Sequence, residues 1–251
     1  MNSLELARAT ADPIQTLGMS FYFDPATAER AKELGLNVFE FYGLGRAGTL
    51  GDVEVETVER AFTFFHPRVY DLLWTGPKAK ADPVATAAQY VAVAYEFADR
   101  TFGAVELGAL SAFAAAAQKV VAAVPEERHL LVDGYRQYPV PTSPVHAAYL
   151  AAILMRELRG GVHIEAVAEV GLSPLEACYI QDANLFKMHG YQEDEAPEVT
   201  PDLEALKVRA EELTEQKIAT YFEVLSDEER DALAEGARLM FDALATPVAV
   251  A

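Results

Sequence analysis

Three histidines and one arginine are the residues of this chain best placed to do chemistry. His66 closes the aromatic run AFTFFHP, His146 sits in the nearly all-apolar stretch VHAAYLAAILM, and His163 follows a double glycine in RELRGGVHIEA. Imidazoles titrate near neutral pH, so several that converge beside a cation suit general acid/base work or carboxylate binding. The cation is Arg46, the one charged residue between Tyr42 and Asp52 in FYGLGRAGTLGD. Helical spacing puts His146, Leu150, Ile153 and Glu157 on one stripe, with a carboxylate about three turns from the imidazole. The Gly160-Gly161 pair is expected to break this helix and fold His163 back beside Arg156 and Arg159. The expected catalytic set is therefore His146, His163 and Glu157. Arg46, Tyr42, His66, Trp74, Tyr149 and Arg159 are expected to contact a ligand, with Phe64 and Phe65 adding aromatic surface. His129, after PEER, reads as solvated, and His189 as a cation at a helix end.

Other chemistries fare worse. Gly43, Gly45 and Gly48 spell G-x-G-x-x-G, but a dinucleotide loop needs a strand before it, a helix opening at its third glycine and a βαβ unit beyond. Here a turn at Gly51-Asp52 follows, the next helix starts near Glu54, and no second strand exists. The glycines read instead as a flexible setting for Arg46. Cys178 is the sole cysteine, which excludes an internal disulfide and a cysteine-cluster metal site; it reads as a small buried core residue. The histidines show no short ligand spacing, so neither a metal nor a cofactor is expected. Ser111 and Ser143 lack the context of a nucleophile elbow.

The elements that must position these residues are helices. Asp24-Pro25 and Asp82-Pro83 each supply an N-cap and a first-turn proline. Ser173-Pro174-Leu175-Glu176 adds a capping box, while Thr200-Pro201 and Ser226–Glu229 open two more helices. Residues 37–42 (NVFEFY) are the one stretch that could pass for a strand. The expected fold is all-α, about ten helices in two layers, residues 1–133 and 144–251, forming one compact unit. Of the 251 residues 51% are hydrophobic, enough for a substantial core. The net charge of −19 and the acidic run QEDEAPE at 192–198 oppose a polyanion, so nucleic acid is not an expected partner. No basic leader precedes an apolar core, and the longest apolar runs are about half a membrane span. The expectation is a cytoplasmic protein without a membrane partner, whose terminal helix, 227–245, could provide a homodimer face or equally a part of the core.

Several of these stretches together resemble a largely uncharacterised actinobacterial group of helix-turn-helix proteins. FYGLGRAGTLGDV (41–53), AFTFFHP (61–67) and LTEQKIATYFEVLSDEERDAL (213–233) are similar to segments of that group. The most specific is HAAYLAAILMRELRGGVHIEAVAEVGLSPLEA (146–177). The resemblance implies a helical ligand-binding region joined to a winged-helix region, with Arg46, His146, Arg159, Gly160 and His163 at matching positions. Where the group has a helix-turn-helix and wing after the Leu-Glu-Ala segment, this chain runs through YQEDEAPEVTPD, so the winged-helix part is expected to be degenerate and its DNA-binding region lost.

The leading expectation is an all-α small-molecule-binding protein with an aromatic pocket and an Arg/His cluster. A cofactor-independent enzyme of specialised metabolism using the same residues is the alternative, and a transcriptional regulator the third. Fold class alone does not separate them.

Overall fold

Capping side chains mark out most of the chain. In the computed structural model, which describes residues 1–245, thirteen α-helices follow one another and no strand occurs among the described residues. The first half holds α1 (Ser3–Met19), α2 (Pro25–Glu33), α3 (Val38–Ala47), α4 (Val55–Phe62), the single turn α5 (Gly76–Lys78), α6 (Pro83–Phe102) and α7 (Leu107–Ala123). The second holds α8 (Leu130–Arg136), α9 (Pro144–Glu169), α10 (Pro174–Gln181), α11 (Ala183–Met188), α12 (Pro201–Phe222) and α13 (Asp227–Leu244). Asp24, Asp82, Ser173, Thr200 and Ser226 each accept a backbone N–H at a helix start, as their sequence context predicts.

Residues 37–42 open a helix. Asn37 and Glu40 form a capping box that starts α3, so the strand-like run is helical. Gly43 and Gly45 lie inside α3, and Gly48 caps its end. A Cβ at Gly43 would stand 2.5 Å from the Leu73 carbonyl oxygen, and one at Gly45 2.7 Å from Tyr90 Cβ. The glycines are thus a contact face, which lets α3 approach α6 and the π-helical turn Asp71–Thr75. They do not give Arg46 a flexible setting.

The 26-residue α9 runs unbroken through Gly160 and Gly161 and packs against α1, α6, α7, α8 and α12. The expected break is absent because intrahelical hydrogen bonds continue, and because Gly161 is in demand: a Cβ there would meet His129 Nδ1 at 2.6 Å. The N-terminal and C-terminal regions interleave, since α1 packs on α9, α12 and α13. One hydrophobic core accordingly extends from Leu6 to Met240. Helix α13, open from the sequence to either a dimer face or a core role, turns its buried residues Leu233, Ala237 and Met240 inward, with α7 and α1 as its neighbours.

After α9 the chain makes a tight turn at Gly171 (φ 86°), where the Leu172 N–H reaches the Val167 carbonyl at 3.0 Å. It re-enters a helix at once as α10, which packs on α11 and α12. The helix that the capping box opens ends at Gln181, because Asp182 is extended and caps α11. A short 3-10 turn (Glu193–Glu195) and unstructured chain then lead to α12, so no wing is present among the described residues. None of the described helices is long and apolar enough to cross a membrane.

Candidate functional site

Adjacent charges in the middle of α9 build the centre of the site. Arg156 and Glu157 directly follow the apolar run 147–155 of α9, and the Glu157 side chain is 1% exposed. Arg46, reaching in from α3, donates to both Glu157 oxygens, Nε to Oε1 at 2.9 Å and Nη2 to Oε2 at 2.6 Å. Arg156 adds one hydrogen bond from Nη1 to Oε1 at 3.0 Å. Arg46 Nη1 also donates to the Tyr42 hydroxyl at 2.7 Å, and its guanidinium lies 4.7 Å from the Phe62 ring centre. Arg156 stands over the Tyr22 ring at 5.4 Å, its stem laid against Gly18 of α1, where a Cβ would lie 2.6 Å from Arg156 Cβ and Cδ. Burial works to neutralise Glu157, but the two guanidiniums outweigh it and hold the carboxyl below its ordinary value. Arg46 loses stability as a cation through burial and regains more from Glu157, so its pKa rises well above normal.

This group lies on the wall of a cavity of about 1080 Å³, to which α1, α3, α4 and α9 to α12 contribute. Tyr42, Phe62, Phe64 and Phe65 give it aromatic surface. His163 projects into it from α9, with Nδ1 3.0 Å from the Thr214 hydroxyl; burial first, then Arg159, lowers its pKa despite the opposing pull of Glu211. Arg159 itself pairs with Glu211 at 2.9 Å. Elsewhere on the wall, Cys178 Sγ and His189 Nδ1 are 2.9 Å apart. Burial pushes the thiol up to about 12, and burial together with the Arg46 charge pushes the imidazole down to about 4. Both groups are therefore neutral at physiological pH, and the sulfur also donates to the Phe64 carbonyl at 3.7 Å.

Of the residues singled out from the sequence, the structure brings Arg46, Tyr42, Glu157, Arg159 and His163 to one cavity. It does not bring the others. His146 stacks on Tyr95, with Nε2 2.8 Å from Asp99, and stands seventeen residues before His163 on a continuous helix, about 25 Å away. The two imidazoles cannot converge. Tyr149 is buried and donates to the Leu17 carbonyl at 3.0 Å; Trp74 donates to the Val53 carbonyl at 3.1 Å. Both serve packing. His66 lies near Arg68 and Glu195, 3.1 Å from the latter, outside the cavity. His129, expected to be solvated, is 4% exposed and within 3.3 Å of the Tyr221 hydroxyl, and burial lowers its pKa. His189 is a neutral partner to a thiol, where a helix-end cation was expected. Sequence reasoning missed Tyr22, Phe62 and the role of Arg156. An Arg-Glu pair directly after an apolar run was the signal for the last. Among the described residues, no three His, Cys, Asp or Glu side chains gather as a metal-ligand set.

A model of the Helix-turn-helix family matches residues 7–196, about three quarters of the chain. The chain belongs to the Helix-turn-helix family. The matched span carries α2 to α11 entire and most of α1; α12 and α13 lie beyond it. Within this helix-turn-helix family member, the span includes both arginines of the central group, Glu157, and the Cys178–His189 pair. No curated protein and no solved structure matches the chain.

Proposed function

We propose that this protein binds a small molecule in the cavity bounded by α3, α9 and α10. The observation that carries the reading is the cavity itself: about 1080 Å³, walled by aromatics, with a buried Arg46–Glu157–Arg156 group in its side. That is the size and make-up of ligand sites, a mostly apolar surface with a few fixed polar groups. Tyr42, Arg159 and His163 join the same wall. Glu157, held ionised by two arginines, places charge and has no proton to give near neutral pH. The test is titration with the neutral fluorophore N-phenyl-1-naphthylamine. Gly160 faces the cavity with nothing within 4 Å of a built Cβ, so Gly160→Trp fills the space without a backbone clash. Saturable one-to-one binding by the parent and its loss in the folded variant is the expected result. Absence of saturable binding by the parent defeats the reading.

Family membership favours a second reading, DNA-binding regulation. Against it, the helix after the Gly171 turn, PLEACYIQ, contains no lysine or arginine, while its Ala177, Cys178 and Gln181 line the cavity. Contacts to phosphates depend on such cations. Duplex binding with a steep salt slope, mapped to this helix pair, would establish the regulator.

A further inference from the structure

We infer that the cavity selects organic anions with an apolar body, the acid group docking on Arg156 beside the Tyr22 hydroxyl. This rests on the ligand-binding reading and adds the chemical class of the ligand.

The charges at the centre do not balance. Two guanidiniums, Arg46 and Arg156, face one carboxylate, Glu157, leaving one positive charge in a place where the three side chains are 10%, 14% and 1% exposed. The other wall cations are matched, wet or, for half-buried Lys207, donating to the Ile180 carbonyl at 2.7 Å. Arg159 pairs with Glu211, Arg8 with Glu215 and Arg128 with Glu165; Asp12, Arg60 and Glu127 are exposed at the rim. A buried unbalanced charge is costly, and a ligand that neutralises it gains what the fold left unsatisfied.

The donors tell the same story. Arg46 is satisfied, with both Glu157 oxygens and Tyr42 as acceptors. Arg156 uses one of its five N–H groups, on Glu157, and its Nε is buried with no acceptor. The Tyr22 hydroxyl is likewise buried without a partner, and Arg156 stacks on that same ring. Burial raises the Tyr22 pKa to about 12, so the hydroxyl keeps its proton and can donate. Two unpartnered donors and one surplus positive charge thus belong to one stacked pair, Arg156 and Tyr22, both of which line the cavity. Away from that pair the cavity is bounded by Phe62 and Phe65, and at its rim by Phe23, Val38 and Met188, which are 68%, 43% and 53% exposed. Apolar residues at an open rim and an anion-seeking group inside fit an amphiphilic acid entering head first.

Two fluorophores sharing one carbon skeleton separate this inference from the reading it rests on. N-phenyl-1-naphthylamine is neutral, and 8-anilino-1-naphthalenesulfonate is the same body carrying an acid. The sulfonate is expected to bind the folded protein at least about tenfold more tightly, the worth of one charge-assisted hydrogen bond. Arg156→Met leaves Glu157 with both Arg46 hydrogen bonds and removes the surplus charge. It is expected to abolish the preference for the sulfonate, keep binding of the neutral dye, and melt no lower than the parent. A purely structural Arg156 would instead lower the melting temperature and leave the preference intact. Equal affinity for the two dyes, or a preference that survives Arg156→Met, overturns the anion site while the cavity reading stands. Failure of the neutral dye to bind the parent saturably defeats the cavity reading, and the inference with it.

Discussion

Two buried polar groups on one cavity wall have met the same desolvation and answered it in opposite ways. Arg46, Glu157 and Arg156 remain charged; Cys178 and His189 are neutral. The difference is the partner. Glu157 has a guanidinium on each side, and Coulombic attraction plus three hydrogen bonds exceeds the cost of leaving water. Cys178 and His189 could exchange a proton to form an ion pair, yet burial disfavours both charges and the nearby Arg46 further disfavours the imidazolium. The thiol therefore stays a thiol. The lesson is that a polar pair at this wall ionises only where opposite charge is already fixed.

That contrast can be broken most forcefully at Glu157. Glu157→Gln leaves two buried guanidiniums without a counter-charge, a loss of about 3–5 kcal/mol, which lowers the melting temperature by roughly 10 °C or more. A melt within a few degrees of the parent would show that water relieves the arginines. Acid acts next. His189 titrates at about 4 in the fold against 6.5 in the unfolded chain, so the unfolded state takes the proton first. Its contribution is complete above about pH 6.5 and is lost as the pH falls towards 4, on the order of 2–3 kcal/mol, with His163 and His129 shifted in the same direction. Urea titrations at pH 7 and pH 5 should show the loss, and His189→Gln should flatten that acid limb. Breaking the neutral pair costs less: Cys178→Ala removes the sulfur's contacts with His189 and the Phe64 carbonyl, worth about 1–2 kcal/mol by chemical denaturation. Smallest is His146→Ala, which breaks a half-exposed pair with Asp99. It should cost under about 1 kcal/mol and leave dye binding unchanged.

Helix starts were legible because an N-cap is a local device: Asp24, Asp82, Ser173 and Ser226 each act within three residues of themselves. Glycine was the main source of error. Gly43 and Gly45 read as loop by propensity, yet Leu73 and Tyr90, far along the chain, decide their role. Gly160-Gly161 read as a break, whereas tertiary packing keeps α9 intact. Arg46, Tyr42, Glu157, Arg159 and His163 were found as odd polar residues in apolar context, and this context did reflect a shared cavity. The same rule failed for His146, Trp74 and Tyr149, because an apolar face can equally turn toward a helix neighbour. The Cys178–His189 contact depends on the chain bending at Asp182, which helical periodicity does not reveal.

Gly18 contributes no atom to the cavity's polar chemistry, yet the Arg156 stem rests where its side chain would be. Any side chain at position 18 pushes against that stem, so substitution there is constrained by the arginine one helix away. In a saturation screen for ligand binding, position 18 should tolerate as little as position 156. On the ligand-binding reading we propose, specificity is thus partly written in a residue that has no functional group at all.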